Sequence, residues 1–449
     1  MNLSVSSCVS RVRNSVVAFA FLWALAPISN GEDSPSTKSR NEHPNIVVIL
    51  ADDLGYGDTS VYDGWVSTPE LQRLARKGRT FTDFHTNSSV CSPTRAAFLT
   101  GRYQQRVGIV DVIARHLDTP PLHPDQRTIA DVMKQAGYRT AIYGKWHLGM
   151  QKANNPVHLG FDDFRGYLDG YVDYHTHGRH WHHNLEIEPQ PGYSTHLITS
   201  NAVQFIEENS DKPFFLYVSH EAVHLPFQTP DDTPENRKPI PKEDRWKRSR
   251  IRPKYEVMLK EMDKGIGQIL DTLDAQGIAD ETLVFFFSDN GAIGAGSNQP
   301  FRGGKFSHYE GGHRVPAIAV WPGKIPANSK SDSLVVAMDL LPTFAELVGV
   351  ELGSQRPPDG ISILNHLLTG EEVAAREVFF GYEPKLGTAM RDGPWKMIVK
   401  EGDVRLYNLS DDIGEKENVT DRYPKRAADM RAKIERWKQA TVPGSRPGS

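Results

Sequence analysis

Asn45-Ile-Val-Val-Ile-Leu-Ala51 is apolar almost without a break, and comparable runs recur at residues 213–219, 282–287 and 315–321, with a shorter strand signal at 138–143. A half-solvated strand would show a polar residue at every second position. Runs without that alternation predict strands covered on both faces. Helical signals fill the intervals. Thr68-Pro69-Glu70 supplies a cap, a proline and an acidic first turn, and Gly78 closes that helix. Further helices are expected over 125–136, stopped by Gly137, and over 200–209. Another carries Tyr255, Met258, Met262, Ile266, Ile269, Leu270 and Leu273 at helical spacing and ends at Gly277. Regular alternation of this kind predicts an α/β fold, a mainly parallel sheet flanked by helices.

A chain of 449 residues exceeds one ordinary domain. Beyond a helix at 339–347 the texture changes to short strands at 378–382, 388–400 and 404–409, with a turn signal at Asp392-Gly393 and a charged helix at 423–440. The expected division is a signal peptide at 1–31, a catalytic domain at 43–349 and a smaller antiparallel α+β subdomain at 350–449.

Two of the apolar runs end in acidic or amide side chains: Asp52-Asp53 after the first, and Ser288-Asp289-Asn290-Gly291 after the fourth. Ligands collect at the carboxyl edge of open α/β sheets, and adjacent carboxylates repel unless a cation lies between them. An all-oxygen set of Asp52, Asp53, Asp289 and Asn290 favours calcium or magnesium over zinc. Val90-Cys-Ser-Pro-Thr-Arg95 reads as a helix entrance, with Cys91 at the cap, Pro93 in the first turn and Arg95 one turn on. Such an entrance attracts an anion. Lys145 and His147 are expected to face one side of an extended segment, and His224 follows the third apolar run. Five histidines, at 175, 177, 180, 182 and 183, suggest a substrate-facing loop more than a surface loop or a metal site. The run 234–254 holds nine Lys or Arg against three acids, a solvated face in the first instance and a polyanion-docking surface in the second.

Formal net charge is −4, which excludes a general attraction for nucleic acid. Arg11 and Arg13 precede an apolar run at 16–26 that is too short to span a bilayer, as in an export signal cleaved near residues 29–32. No cysteine follows it closely, so no stable membrane anchor is expected. Of two cysteines, Cys8 falls in the removed segment, leaving Cys91 unpaired in an oxidising compartment, where a thiol persists only if it is used or modified.

The order Cys91-Ser92-Pro93-Thr94-Arg95 resembles the C-x-P-x-R signature of the type I sulfatases of the alkaline phosphatase superfamily. So do Leu50-Ala-Asp-Asp53, Gly101-Arg102-Tyr103, Gly144-Lys-Trp-His-Leu-Gly149, Ser288-Asp-Asn-Gly291, and Lys305 with Glu310-Gly-Gly312. The stretches 160–177 and 218–226 are most similar to the arylsulfatase B (N-acetylgalactosamine-4-sulfatase) type. The resemblance implies an alkaline phosphatase-like fold and an exported enzyme, periplasmic, extracellular or lysosomal, that hydrolyses a sulfate ester on a carbohydrate. It implies that Cys91 is oxidised to formylglycine by a formylglycine-generating or sulfatase-maturing enzyme. It further implies a cation, calcium before magnesium, on Asp52, Asp53, Cys91, Asp289 and Asn290. The catalytic set it implies is Cys91, Arg95, Lys145, His147, His224 and Lys305: one hydroxyl of the hydrated aldehyde attacks sulfur, His224 or Lys305 assists the leaving alcohol, and His147 takes the second hydroxyl proton. His175, His177 and Arg302 are expected to contact substrate. Spacing does not decide which base is which. Two other readings stay open: a phosphate or phosphonate ester hydrolase of the same superfamily, and a noncatalytic carbohydrate-binding protein with Cys91 unmodified.

Overall fold

The computed structural model describes residues 43–114, 117–177, 180–234, 247–383 and 386–441; the expected signal segment 1–31 and the basic residues 235–246 lie outside them. The chain forms β1 (Asn45–Ala51), α1 (Pro69–Lys77), β2 (Arg79–Phe81), β3 (Phe84–His85), α2 (Cys91–Thr100) and α3 (Ile129–Gln135). Next come β4 (Arg139–Lys145), β5 (Asp163–Tyr167), β6 (His182–His183), β7 (Glu186–Ile187), α4 (Ser194–Asn209), β8 (Phe214–Ser219) and α5 (Arg248–Ala275). The main body closes with β9 (Thr282–Ser288), α6 (Glu310–His313), β10 (Ala317–Val320), β11 (Ser329–Ser331), β12 (Val335–Val336), α7 (Leu340–Leu347) and α8 (Leu364–Thr369). A second sheet follows, β13 (Glu377–Glu383), β14 (Gly387–Asp392), β15 (Trp395–Lys400) and β16 (Asp403–Asn408), and then α9 (Pro424–Ala440).

Ten strands pair in the order β11-β2-β10-β9-β1-β8-β4-β5-β6-β7. The central block β9, β1, β8, β4, β5 is parallel throughout. Every residue of β1, β8 and β9 is buried, because helices cover both faces. Val47, Ile49 and Ala51 point into a core with residues of α1, α4 and α5. Ile46, Val48 and Leu50 point into another with α2, α3, α7 and α8. Alternate residues of one strand thus serve two cores, and the run must be apolar at every position.

The fifth apolar run supplies the exception that a mainly parallel sheet allows. It forms β10, which runs antiparallel to β9. The chain leaves β9 at the carboxyl edge, makes a long loop there and enters β10 from that same edge, without a helix to carry it back across the sheet. Helix α3 begins at Ile129 rather than 125, since Thr128 and Asp131 form a capping box that fixes the start. Helix α4 begins at Ser194, earlier than 200, and α5 at Arg248, so the end of the basic run is helical. Cys91 is the first residue of α2, with Val90 in the cap position.

The second sheet is a four-stranded antiparallel meander. Its β14–β15 turn is made by Gly393 at φ 55° and Pro394, where a side chain in the left-handed region would be strained. With α9 it closes a third core that also takes in Ala97 and Tyr103 from the main body. Residues between 350 and 376 still cover the large sheet, with Ile363 and Leu367 in the α2–α7 core. Among the described residues no helix is long and apolar enough to cross a membrane.

Candidate active site

Parallel pairing sets Ala51 opposite Ser288, so the acidic ends of β1 and β9 emerge side by side. Asp53 turns the chain at φ 60°, a conformation Asp tolerates better than most residues. Its amide donates to Asp289 Oδ1 at 3.2 Å, and Asn290 Nδ2 donates to Asp53 Oδ1 at 2.6 Å. All four side chains are buried. Three cations neutralise the three carboxylates: Lys145 Nζ lies 2.5 Å from Asp52 Oδ2, Lys305 Nζ 2.7 Å from Asp53 Oδ1, and Arg95 Nη2 2.9 Å from Asp289 Oδ2. Burial alone would raise the Asp52 and Asp53 carboxyls. Lys145 beside the first and Lys305 beside the second hold both below the usual range.

Three oxygens in this cluster are buried without a partner: Asp52 Oδ1, Asp53 Oδ2 and Asn290 Oδ1. An unpaired buried polar atom costs roughly 1–3 kcal/mol, and three converging in one place form a donor set that a bound ligand would satisfy. Oxygen donors alone suit a hard divalent cation, and the residues present therefore fit one. The cluster is neutral by itself, so a divalent cation would leave it a net positive charge for an anionic ester. Asp52, Asp53 and His224 also approach closely enough to share an ion. A second group, His85, Glu310 and His313, meets the same distance test. There, Arg391, Lys396 and Arg314 already lie within 3.1 Å of the Glu310 carboxylate and compensate its charge.

A cavity of about 620 Å³ opens beside this cluster, lined by Cys91, His147, His224 and Lys305 together with the exposed rings of Tyr171 and Phe306. Burial pushes the Cys91 thiol up despite the pull of Lys145 and Lys305. The unmodified thiol stays protonated and is a poor nucleophile. His147 sits at φ 58°, past the end of β4, so a turn and not strand alternation brings it to the cavity. Its Nε2 is 2.9 Å from the carbonyl of Ile113, which makes Nε2 the protonated nitrogen and leaves Nδ1, buried and unpartnered, as the acceptor. Burial, then Lys145 and Arg95, hold the imidazole well below its ordinary pKa, so it is neutral. His224 donates from Nδ1 to the carbonyl of Leu225 at 2.6 Å and turns Nε2 toward Asp53 Oδ2, 3.7 Å away.

Arg95 does not face the cavity as the helix-entrance argument expects. Its guanidinium runs inward and is spent on Asp289, Ser219 Oγ at 2.6 Å and the carbonyl of Lys145 at 3.2 Å. Nor does the structure bring His175, His177 and Arg302 into the cavity. His175 Nε2 pairs with the carbonyl of Thr229 at 2.9 Å, His177 is buried with its ring 4.9 Å from Trp181, and Arg302 bonds the carbonyl of Glu415 at 2.6 Å. From the histidine loop, His180 lines the cavity, while His182 and His183 form β6. Sequence reasoning missed Tyr171 and Phe306; the signal available was an aromatic directly after a turn-forming Asp169-Gly170 pair and another directly after Lys305.

Gly170 packs against the imidazole of His147: a Cβ there would lie 2.6 Å from Nε2 and 2.8 Å from Cε1. Gly170→Ala is expected to tilt the ring off Ile113 and reduce kcat about 100-fold, the cost typical of a misplacement near 1 Å. Steady-state kinetics and a thermal melt check this, the melting temperature staying near that of the parent.

A family model described as Sulfatase matches residues 44–350. The chain is similar to N-acetylgalactosamine-6-sulfatase of Rattus norvegicus, 33% identical over 409 residues covering 84% of this chain and 74% of that one. It is similar to arylsulfatase G of the same species, 35% identical over 438 residues, 85% of this chain and 79% of the relative. Among solved structures, Ps i-CgsB in complex with k-i-k-neocarrahexaose superposes with a TM-score of 0.81 at 28% identity, covering 90% of this chain and 95% of that one.

Proposed function

The chain belongs to the sulfatase family, enzymes that hydrolyse sulfate esters, and from that premise we propose that it removes sulfate from a galacto-configured sugar at a formylglycine made from Cys91. The observation that carries the reading is the set of partnerless oxygens on Asp52, Asp53 and Asn290 beside a buried cysteine and two lysines. Asp52, Asp53, Asp289 and Asn290 would hold the cation, calcium before magnesium, with the position-91 side chain completing the shell. The cation would polarise the sulfuryl oxygens. Hydrated formylglycine supplies a geminal diol, whose first hydroxyl is a nucleophile toward sulfur and whose second allows sulfate to be expelled without a further hydrolysis.

The chain's own residues divide the remaining work. Lys145 and Lys305, anchored on Asp52 and Asp53, set fixed positive charge where negative charge grows on the sulfuryl group. Asp53 and the other acids hold the Lys305 ammonium above its ordinary pKa, so it stabilises charge and does not give up its proton. The first hydroxyl attacks after releasing its proton to water, His224 delivers a proton to the leaving alcohol, and His147 accepts the second hydroxyl's proton at Nδ1 as sulfate is expelled. Arg95 is a positioning residue that locks Asp289. In this reading residues 43–349 form the catalytic domain, with 350–376 packed on its large sheet, and the second sheet with α9 forms a subdomain. The sulfated carbohydrate and a formylglycine-generating enzyme are its partners, and the protein is exported to a periplasm, a lysosome or the medium. The name of the rat relative specifies an N-acetylgalactosamine sulfate, and this supports the galacto configuration.

The test is a desulfation screen over defined sulfated saccharides with and without a calcium-selective chelator. Turnover that the chelator removes and calcium restores is expected; faster turnover of the phosphate ester of the same alcohol would overturn the choice of sulfate. The pH profile is a second check. His147 must be neutral to accept a proton, and its pKa is depressed, so activity is lost only as pH falls well below 6.5. His224 must be protonated, and its pKa is depressed as well, by burial and then Lys305, so activity declines as pH rises past that lowered value. The kcat profile is expected to be a bell on the acid side of 6.5.

A further inference from the structure

Phe306 belongs to two cavities at once. It lines the Cys91 cavity, and it lines a second groove of about 440 Å³ whose far wall is the β15–β16 hairpin of the small sheet. We propose that this groove is a second saccharide subsite, continuous over Phe306 with the Cys91 cavity, so that the enzyme engages at least two sugars of a sulfated oligosaccharide or polymer. The proposal rests on the sulfatase reading and extends it from the reacting sugar to its neighbour.

Several features converge on it. Phe306 is 47% exposed at φ 67°, a backbone region where a bulky side chain is strained. Its amide is tied to the carbonyl of Ser89 at 3.1 Å, two residues before Cys91, which holds the ring at the cavity mouth. Tyr171, 56% exposed, lines the same mouth and lies over the imidazole of His224 with centroids 6.0 Å apart. A single exposed ring means little. Two lining one mouth are the apolar platforms on which the C–H faces of sugar rings rest, as ligand sites pair aromatic walls with a few polar groups.

The groove supplies the polar groups. Lys400, Glu401 and Asp403 are exposed along the hairpin, where Lys400 pairs with Asp403 across a two-residue turn. Arg405 Nε holds Asp403 at 2.7 Å and its Nη1 bonds the Tyr309 hydroxyl, so the wall is braced before any ligand arrives. Carboxylates accept from sugar hydroxyls, and the Lys400 ammonium suits an anionic substituent on the neighbouring sugar. Such a mixed wall suits a sulfated saccharide better than an apolar ligand.

The test uses the full mature chain as Cys91→Ala, which has no nucleophile and binds without reacting, titrated calorimetrically with matched pairs of sulfated monosaccharide and hexasaccharide from chondroitin sulfate and from κ-carrageenan. In at least one pair the hexasaccharide is expected to bind about tenfold more tightly, and Lys400→Glu is expected to erase about that tenfold advantage. The ratio of kcat/KM for hexasaccharide over 4-nitrophenyl sulfate, measured with Cys91 intact, is expected to fall by the same factor in Lys400→Glu. Equal affinity within every pair, or a Lys400→Glu change that weakens mono- and hexasaccharide alike, overturns the subsite while hydrolysis of the aryl sulfate leaves the sulfatase reading standing. Absence of turnover on every sulfate ester overturns the sulfatase reading itself, and calorimetry then shows separately whether the groove binds sugar.

Discussion

Cys91→Ala is expected to abolish sulfate release, with kcat falling by roughly 10⁴-fold or more, the scale seen when an enzyme loses its nucleophile. The melting temperature is expected to move little. Position 91 makes no disulfide and lies at the first turn of α2, where Ala is well tolerated. Peptide mass spectrometry across residue 91 completes the measurement: active preparations should carry the aldehyde mass in place of the thiol. Cys91→Ser discriminates further. Serine offers one hydroxyl where the hydrated aldehyde offers two, and it should be nearly as inactive because a sulfate ester formed on it has no second hydroxyl to expel the anion. An active preparation whose peptide is wholly unmodified cysteine would sink the mechanism.

Asp289→Ala should damage both stability and activity, and the two losses have separate causes. Asp289 takes both Arg95 Nε and Nη2, at 3.0 and 2.9 Å, in a place where neither side chain is exposed. Removing the carboxylate takes away the only acid hydrogen-bonded to the buried guanidinium, Asp52 Oδ2 at 3.8 Å being the counter-charge that remains, and breaking a buried pair costs roughly 3–5 kcal/mol. In the proposed cation site it would also remove one acidic ligand, so bound calcium, measured by elemental analysis of dialysed protein, should drop below one per chain. Denaturant unfolding should show the midpoint moving down at unchanged slope. Excess calcium should raise the midpoint of the parent but that of the variant little, because a ligand stabilises only in proportion to its affinity for the folded state. A variant that keeps both calcium and stability would show that Asp289 belongs to neither the ion pair nor the cation site.

The central strands were legible because their burial on two faces leaves no choice of composition: β1, β8 and β9 match their apolar runs to within a residue or two. Strand direction was not legible at β10, since direction depends on the edge from which the chain returns, and a loop's path is not encoded in the run that follows it. Arg95 shows the same limit at the level of one side chain. Spacing on α2 placed it beside Cys91, but the rotamer that carries it to Asp289 and Ser219 is selected by residues 124 and 194 positions away. In the histidine loop, residue type alone suggested substrate contact. In the fold His177 is buried against Trp181 and His175 bonds the carbonyl of Thr229, contacts that residue type alone does not reveal.

Local order along the chain determined which residue types exist to do chemistry: acids at the ends of buried strands, a cysteine at a helix start, and lysines and histidines just past strand or turn signals. Those are short-range facts, set by which residues can occupy a strand end or a first helical turn. Which oxygens are left without partners, which cations are already spent on carboxylates, and which aromatic rings reach the mouth of the cavity were decided only when strands far apart in sequence came into register. Electrostatics and packing act through space over a few ångströms, and only the folded chain sets those distances.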